Sequence, residues 1–209
     1  MMHRSHLFNA FLTPLTLIAG FTLLSLILNA QEKGTISDTR DGHVYSWLKI
    51  GKQTWMTENL RFSVPAGSWA YNNMPEHEEN FGRLYSWNAA RTACPKGWHL
   101  PSEKEWSLMI KSLGGSDVAG LKMQSMHTMG LAHDDKSAMN KGSVSTLLSG
   151  IRYPDGTCLG IDHWGGCWSS GQINDTVATN VLFAKGSKDV VFSTNDKNSG
   201  FLVRCIRNK

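Results

Sequence analysis

The sequence lacks the short motifs of the common catalytic sites and the basic clusters of nucleic-acid-binding proteins. It contains no G-x-S-x-G elbow, no H-E-x-x-H pair and no phosphate-binding loop. The hydrolases, zinc peptidases and nucleotide-binding enzymes that carry these motifs are therefore not indicated. Lysine and arginine never form a run longer than two residues, and the formal net charge is only +4. No nucleic-acid partner is expected.

Charged residues are scarce at the start of the chain. Arg4 is the only charged residue in the first 30, and it precedes an apolar run over residues 11–28. This order is typical of a secretory signal, so we predict a signal peptide at residues 1–30. The run is also long enough for an uncleaved N-terminal anchor, which would be the protein's one contact with a membrane. Either alternative predicts an extracytoplasmic location: secreted, periplasmic or on the cell surface. Residues 31–40 are polar and are expected to be a flexible lead-in.

The chain has four cysteines and no C-x2-C spacing. An even number of cysteines in an exported chain favours disulfides over free thiols. A zinc site is the rival interpretation, and it is weak because a four-cysteine site would need two tight pairs. Four cysteines allow three pairings, and their spacing favours Cys94–Cys205 together with Cys158–Cys167.

The stretch from Cys94 to Trp106 specifies a loop that leads into a helix. Ser102 and Glu105 form the S-x-x-E pattern of a capping box, which satisfies backbone N–H groups of the first helical turn. Gly114 and Gly115 predict the end of this helix, because glycine adopts the left-handed conformation at least cost. The apolar residues behind the cap have the spacing of one helix face and are predicted to be buried: Trp106, Met109, Ile110 and Leu113.

Further elements follow from local patterns. Gly51-Lys52 between apolar runs predicts a hairpin, after which Glu58 and Asn59 are expected to satisfy nearby backbone groups. We predict the remaining elements as follows: a surface loop at 62–81, a helix at 82–90, a short helix capped by Ser116, a strand at 147–153, a hairpin of strands 177–184 and 190–194, and a last strand at 201–207.

Two groups of residues could supply metal ligands. His77 lies among three glutamates, and a second group comprises His127, His133, Asp134 and Asp135. Neither has the i, i+4 histidine spacing of a helical metal site, and both lie in stretches predicted as irregular. We therefore predict solvated charge at both places, with no metal and no cofactor.

The order of longer motifs resembles the Fibrobacter succinogenes major paralogous domain. The resemblance covers residues 41–207, and this family is exported, mostly bacterial and without an established activity. The segments that carry it are Asp41-Gly42 with Tyr45, Ile50-Gly51-Lys52-Gln53-Thr54-Trp55-Met56-Thr57-Glu58-Asn59-Leu60, Gly82-Arg83-Leu84-Tyr85-Ser86-Trp87, Cys94-Pro95-Lys96-Gly97-Trp98-His99-Leu100-Pro101 with Glu105-Trp106, and Gly200-Phe201-Leu202-Val203-Arg204-Cys205.

The family is in turn distantly similar to the C-type lectin-like and formylglycine-generating-enzyme fold. This similarity implies an α+β domain in which two helices pack on twisted antiparallel strands, with long loops and disulfides. The helices predicted before residue 125 and the strands predicted after it agree with that class. The calcium-binding signatures of sugar-binding lectins are absent, since Trp87 is followed by Asn88-Ala89. Calcium-dependent sugar binding is therefore not implied.

The function expected from these features is a non-catalytic binding or adhesion module. Its partner would be a cell-surface glycan or an envelope protein, and no catalytic residue is predicted. An enzyme related to the formylglycine-generating enzymes is one alternative; it would need Cys158 and Cys167 as a reactive pair. A structural protein of the cell envelope is the other.

A ligand, if there is one, is predicted to bind the segment from Tyr153 to Asp175. A Cys158–Cys167 bridge would hold the tip of this segment, and its aromatic and polar groups would suit a glycan. The alternative is that Trp164 and Trp168 fold inward beneath the loop, Trp168 more readily than Trp164. The candidate ligand-binding residues are Tyr153, Asp155, Asp162, His163, Trp164 and Asn174.

Overall fold

Two antiparallel-rich sheets and four helices make up the part of the chain described by the computed structural model, residues 31–125 and 147–209. The predicted α+β class is confirmed. The strands are β1 Lys33–Ser37, β2 Val44–Ile50, β3 Gln53–Met56, β4 Ser68–Trp69, β5 Leu84–Tyr85, β6 Trp98–His99, β7 Ser149–Arg152, β8 Cys158–Ile161, β9 Trp164–Gln172, β10 Val177–Ala184, β11 Val191–Asp196, β12 Phe201–Leu202 and β13 Ile206–Arg207. The α-helices are α1 Pro75–Phe81, α2 Trp87–Ala93, α3 Glu103–Ser112 and α4 Ser116–Gln124.

The first sheet has the strand order β1-β2-β3-β13-β6. Its β2–β3 hairpin confirms the turn predicted at Gly51, whose φ of +59° lies in the left-handed region that favours glycine. The predicted flexible lead-in is wrong at residues 33–37, because β1 pairs with β2 along its whole length. Ile36, opposite Tyr45, packs against the core and gives this polar stretch an apolar anchor.

The second sheet has the order β11-β10-β9-β12-β5-β4, and β7 joins β9 to β8. The predicted β10–β11 hairpin is confirmed. The last strand predicted at 201–207 is instead two strands, β12 in the second sheet and β13 in the first. Between them, the carbonyl oxygens of Val203 and Cys205 accept hydrogen bonds from the N–H groups of Leu60 and Met56. The C-terminal segment therefore joins the two sheets.

The helices confirm the capping box and correct other boundaries. Ser102 and Glu105 exchange both capping hydrogen bonds, and α3 follows. Helix α4 has Gly115, not Ser116, at its N-cap. The surface loop predicted at 62–81 contains β4 and α1, and the helix predicted at 82–90 is β5 followed by α2, because Ser86 accepts a hydrogen bond from the Ala89 N–H and starts the helix later.

Large aromatic rings form much of the core. Trp106 is fully buried, with its ring centroid 4.7 Å from that of Trp55, and its neighbours Met109 and Ile110 are buried on the same helix face. The indole of Trp168 is also fully buried and packs edge-on against Phe201. The predicted burial of the α3 face is confirmed, with Leu113 at its partly buried end.

The predicted Cys94–Cys205 disulfide is present, with a Cα–Cα distance of 5.9 Å. It links the C-cap of α2 to the segment between β12 and β13. Next to it, the buried Arg204 Nη2 donates a hydrogen bond to Asn59 Oδ1 at 2.8 Å. The Asn59 amide donates to the Phe81 carbonyl, and Glu58 Oε1 accepts from the Ser46 N–H, so both residues satisfy backbone groups as predicted.

The predicted Cys158–Cys167 disulfide is wrong, because both residues are free thiols. Strand β7 pairs with β8, which carries Cys158, and also with β9, which carries Cys167. Because β7 lies between β8 and β9, these two strands are two strand spacings apart, which is about 9–10 Å. A disulfide needs Cα atoms within roughly 7 Å, so the position of β7 keeps the two cysteines apart.

Candidate functional site

The predicted ligand-binding segment is not one loop but three turns joined by β8 and β9. Tyr153 and Asp155 lie in the turn before β8. The Tyr153 N–H donates to the Thr157 carbonyl, and Asp155 Oδ1 accepts from the Thr157 N–H. This hydrogen bond lowers the pKa of the Asp155 carboxyl. Both residues are exposed, and the polar group of Asp155 is used to hold its own turn.

Asp162 and His163 form the turn at the opposite end of β8. Asp162 has a φ of +63° and makes an exposed ion pair with Lys185 at 3.1 Å. His163 Nδ1 lies 3.0 Å from the Ile161 carbonyl oxygen. Trp164 is half-buried, and its ring lies directly against Gly160, where a Cβ would be 2.1 Å from the nearest ring atom. Trp164 therefore packs on its own hairpin.

Asn174 lies in the third turn, after β9. Its side-chain oxygen accepts hydrogen bonds from the Thr176 N–H, the Thr176 hydroxyl and the Val177 N–H. Five of the six predicted residues therefore stand in three separate turns, and Trp164 begins β9. Asp155, His163 and Asn174 each use one side-chain atom to bind neighbouring backbone.

The two free thiols have different surroundings. Cys167 is fully buried, and burial raises the pKa of its thiol to about 12. It is therefore protonated at neutral pH and a poor nucleophile. Cys158 is half-buried, and its sulfur lies 3.5 Å from the Asn72 backbone nitrogen. With β7 between their strands, these cysteines do not form the reactive pair that an oxidative enzyme would need.

We expect a thiol reagent to label Cys158 in the native protein and to leave Cys167 unlabelled until unfolding. Partial exposure admits the reagent to Cys158, whereas Cys167 is enclosed and protonated. Peptide mapping after a brief native reaction, compared with a reaction in denaturant, measures this difference. Cys158→Ser should abolish the native labelling. Equal labelling of both cysteines in the native state would contradict the assignment.

A cleft elsewhere on the surface brings together charged residues that are distant in the sequence. It has a volume of about 560 Å³ and is called the His43 cleft here. The turn between β1 and β2 supplies one wall, Arg61 lies beyond β3, and α1 supplies the opposite wall. Its lining residues are Asp41, Gly42, His43, Arg61, Pro75, Glu78 and Glu79.

The turn between β1 and β2 is fixed by hydrogen bonds of its own backbone. The Gly42 N–H donates to the Asp38 carbonyl, and the Asp38 N–H donates to the His43 carbonyl. Asp41 Oδ1 accepts from the His43 N–H at 2.9 Å. Gly42 has a φ of +77°, and a Cβ there would meet no atom within 4 Å. Glycine is therefore needed for the backbone of the turn, and the space above it is open.

Two nitrogen atoms of the lining residues, His43 Nε2 and Arg61 Nε, have no hydrogen-bond partner and are buried, with almost no accessible surface. The His43 ring packs edge-on against Tyr45, with ring centroids 4.5 Å apart. Burial, and then the positive charge of Arg61, lowers the pKa of His43. The imidazole is therefore neutral at pH 7. Arg61 Nη2 lies 3.7 Å from Glu58 Oε2, so this contact is an ion pair without a hydrogen bond.

Sequence reasoning missed this cleft because its residues belong to three separate segments. The sequence pattern predicts a solvated loop for the acidic residues of α1, and His77 among them packs against the Tyr71 ring instead of lining the cleft. Across residues 31–125 and 147–209, no three His, Cys, Asp or Glu side chains are grouped closely enough to hold a metal ion. The other candidate group, His127, His133, Asp134 and Asp135, lies outside the described residues, as does the predicted signal at 1–30.

None of the helices described is long and apolar enough to cross a membrane.

Comparison with known proteins identifies the family. A search of curated proteins and a search of solved structures each gave no match. The family model of the Fibrobacter succinogenes major domain matches residues 48–207, well over half of the chain. The chain therefore belongs to the Fibrobacter succinogenes major domain family.

Proposed function

We propose that this protein is an exported, non-catalytic binding module of the bacterial cell envelope and that the His43 cleft is its ligand site. The observation that carries the proposal is the cleft itself: about 560 Å³, lined by carboxylates of the β1–β2 turn and of α1 and by the guanidinium of Arg61. Small-molecule sites commonly have roughly 300–1,000 Å³ and a few converging polar groups. The partner would be a glycan, a peptide or an envelope protein.

Export is supported by the first 30 residues and by the Cys94–Cys205 disulfide. A charged residue followed by a long apolar run is the order of a secretory signal. A disulfide that closes a long loop suits an oxidising compartment outside the cytoplasm. We place the protein in the periplasm, on the cell surface or in the medium, with membrane contact through residues 1–30 if they are retained.

The C-type lectin-like arrangement is part of the same proposal. Its support is the pairing of a helix-rich first half with a strand-rich second half and the long-range disulfide. In addition, β1 and β13, near the two ends of the described domain, belong to one sheet. Binding is favoured over the oxidative chemistry of the formylglycine-generating enzymes because β7 lies between the strands of Cys158 and Cys167, which are therefore not a reactive pair.

Blocking the cleft should abolish binding without unfolding the protein. Glu79→Trp places a bulky ring at the rim, on an exposed helix position where substitutions change stability little. Glu76→Trp is the matched control, because Glu76 is exposed on the same helix but does not line the cleft. The full chain and both variants are applied to an array of glycans, peptidoglycan fragments and peptides, and their melting temperatures are measured.

We expect at least one compound to bind the wild type and the Glu76→Trp variant, with at least a tenfold loss in Glu79→Trp. Equal melting temperatures would show that the loss is local. Absence of binding across the array, or binding that is equal in the two variants, would refute the cleft as the ligand site.

A further inference from the structure

The charged groups that line the His43 cleft are three carboxylates and one guanidinium. The carboxylates of Asp41, Glu78 and Glu79 are called the acidic rim here, and the guanidinium belongs to Arg61. If the cleft is the ligand site, as the proposed function has it, this pattern of charges selects the chemical class of ligand.

Two of the three rim carboxylates have no cation partner in the described part of the chain. Glu78 makes an ion pair with Arg83. Asp41 makes no ion pair and uses one oxygen to hold the His43 N–H. Glu79 is exposed, and its carboxylate makes no hydrogen bond or ion pair with the described residues. The rim therefore has two uncompensated negative charges and would attract a cationic group.

The guanidinium of Arg61 is incompletely paired. Its Nε is buried and out of reach of a ligand, but its side chain as a whole is 27% exposed, and its guanidinium makes no hydrogen bond with the described residues. Its nearest carboxylate, Glu58, lies 3.7 Å away and already accepts the Ser46 N–H through its other oxygen. A planar guanidinium with unused donors is suited to a carboxylate, which can accept two parallel hydrogen bonds.

His43 adds no second positive charge to the cleft. Its imidazole lies against Tyr45, and its Nε2 is buried and has almost no accessible surface. Burial, and then the positive charge of Arg61, lowers the pKa of His43, so the imidazole is neutral at pH 7. Arg61 therefore remains the one cation among the lining residues.

From this pattern we propose that the His43 cleft binds a zwitterion, namely an amino acid or the free end of a short peptide. Its ammonium group would lie between Asp41 and Glu79, and its carboxylate would face Arg61. A simple anion would be repelled by the two rim carboxylates, and a simple cation would leave the Arg61 donors unused. A ligand with both charges satisfies both sets of groups.

The proposal is tested with a library of tripeptides in three forms: free termini, N-acetylated, and C-amidated. Binding to the full chain is measured by calorimetry. Either modification should weaken binding of the best free tripeptide at least tenfold, because acetylation removes the ammonium charge and amidation removes the carboxylate charge.

Charge variants assign each end of the ligand to its partner. In Glu79→Gln the penalty for acetylation should shrink severalfold, whereas the penalty for amidation should persist. In Arg61→Gln the reverse is expected. Glu76→Gln is the control for loss of a negative charge on the same helix, and Arg61→Lys keeps the charge if Arg61→Gln fails to fold.

The outcomes separate this inference from the proposed function. Equal binding of free, acetylated and amidated peptides would overturn the zwitterion. The zwitterion would also be overturned if no tripeptide bound while a glycan did and Glu79→Trp abolished that glycan binding. In that case the cleft would still be the ligand site. If neither peptides nor glycans bind in a cleft-dependent way, both proposals fall.

Discussion

Replacing both Cys94 and Cys205 by alanine is expected to lower the free energy of unfolding by about 4–5 kcal/mol. The bridge joins residues 111 apart. In the chain-entropy model, opening a loop of this length restores a large number of conformations to the unfolded chain. Since total stability is typically about 5–15 kcal/mol, most of it could be lost. The bridge also ties α2 to the segment that connects the two sheets, so its loss removes a constraint from both.

Urea unfolding, followed by tryptophan fluorescence with and without a reducing agent, measures this effect. Cys158 and Cys167 are free thiols, so the reductant acts on one bond. Cys158→Ser serves as the control and should keep the wild-type response to reduction. An unfolding midpoint that does not change on reduction of the wild type would contradict the prediction.

Truncating Trp106 to alanine is expected to destabilise the protein by about 3–5 kcal/mol. The side chain is fully buried between the Trp55 ring and the Phe183 ring, with ring centroids 4.7 Å and 6.5 Å away. Alanine would leave a cavity in a core that includes residues of both sheets and of α3. The surrounding rings can fill such a cavity only in part.

Two control variants separate ring packing from other effects. Trp106→Phe keeps an aromatic ring and removes the indole N–H, which is buried without a partner, so its cost should be clearly smaller. Leu108→Ala truncates a side chain that is 45% exposed on the same helix and should change stability by less than about 1 kcal/mol. Denaturant unfolding of the three variants gives the comparison. A Trp106→Ala midpoint equal to that of Leu108→Ala would show that this face of α3 is not core.

Elements whose stabilising contacts are local could be predicted from the residue pattern alone. The capping box of Ser102 and Glu105 acts across three residues, and the turn at Gly51 depends on the backbone freedom of one glycine. The buried face of α3 follows from helical spacing alone. The same holds for the β10–β11 hairpin, where neighbouring strands pair across a short turn. The order of these motifs was also sufficient to identify the family.

The pairing of distant segments, in contrast, depends on the three-dimensional fold. Strand β1 is polar in sequence and becomes a strand because β2 offers it a hydrogen-bonding edge. Cys158 and Cys167 are close in sequence, yet β7 pairs with both of their strands and prevents a bridge.

The His43 cleft depends most completely on the tertiary fold. It forms because the β1–β2 turn, Arg61 and α1 converge, and no single segment contains its pattern of charges. A local motif depends on residues a few positions apart. A cleft depends on the pairing of strands that are distant in the sequence, because that pairing sets the positions of its lining residues.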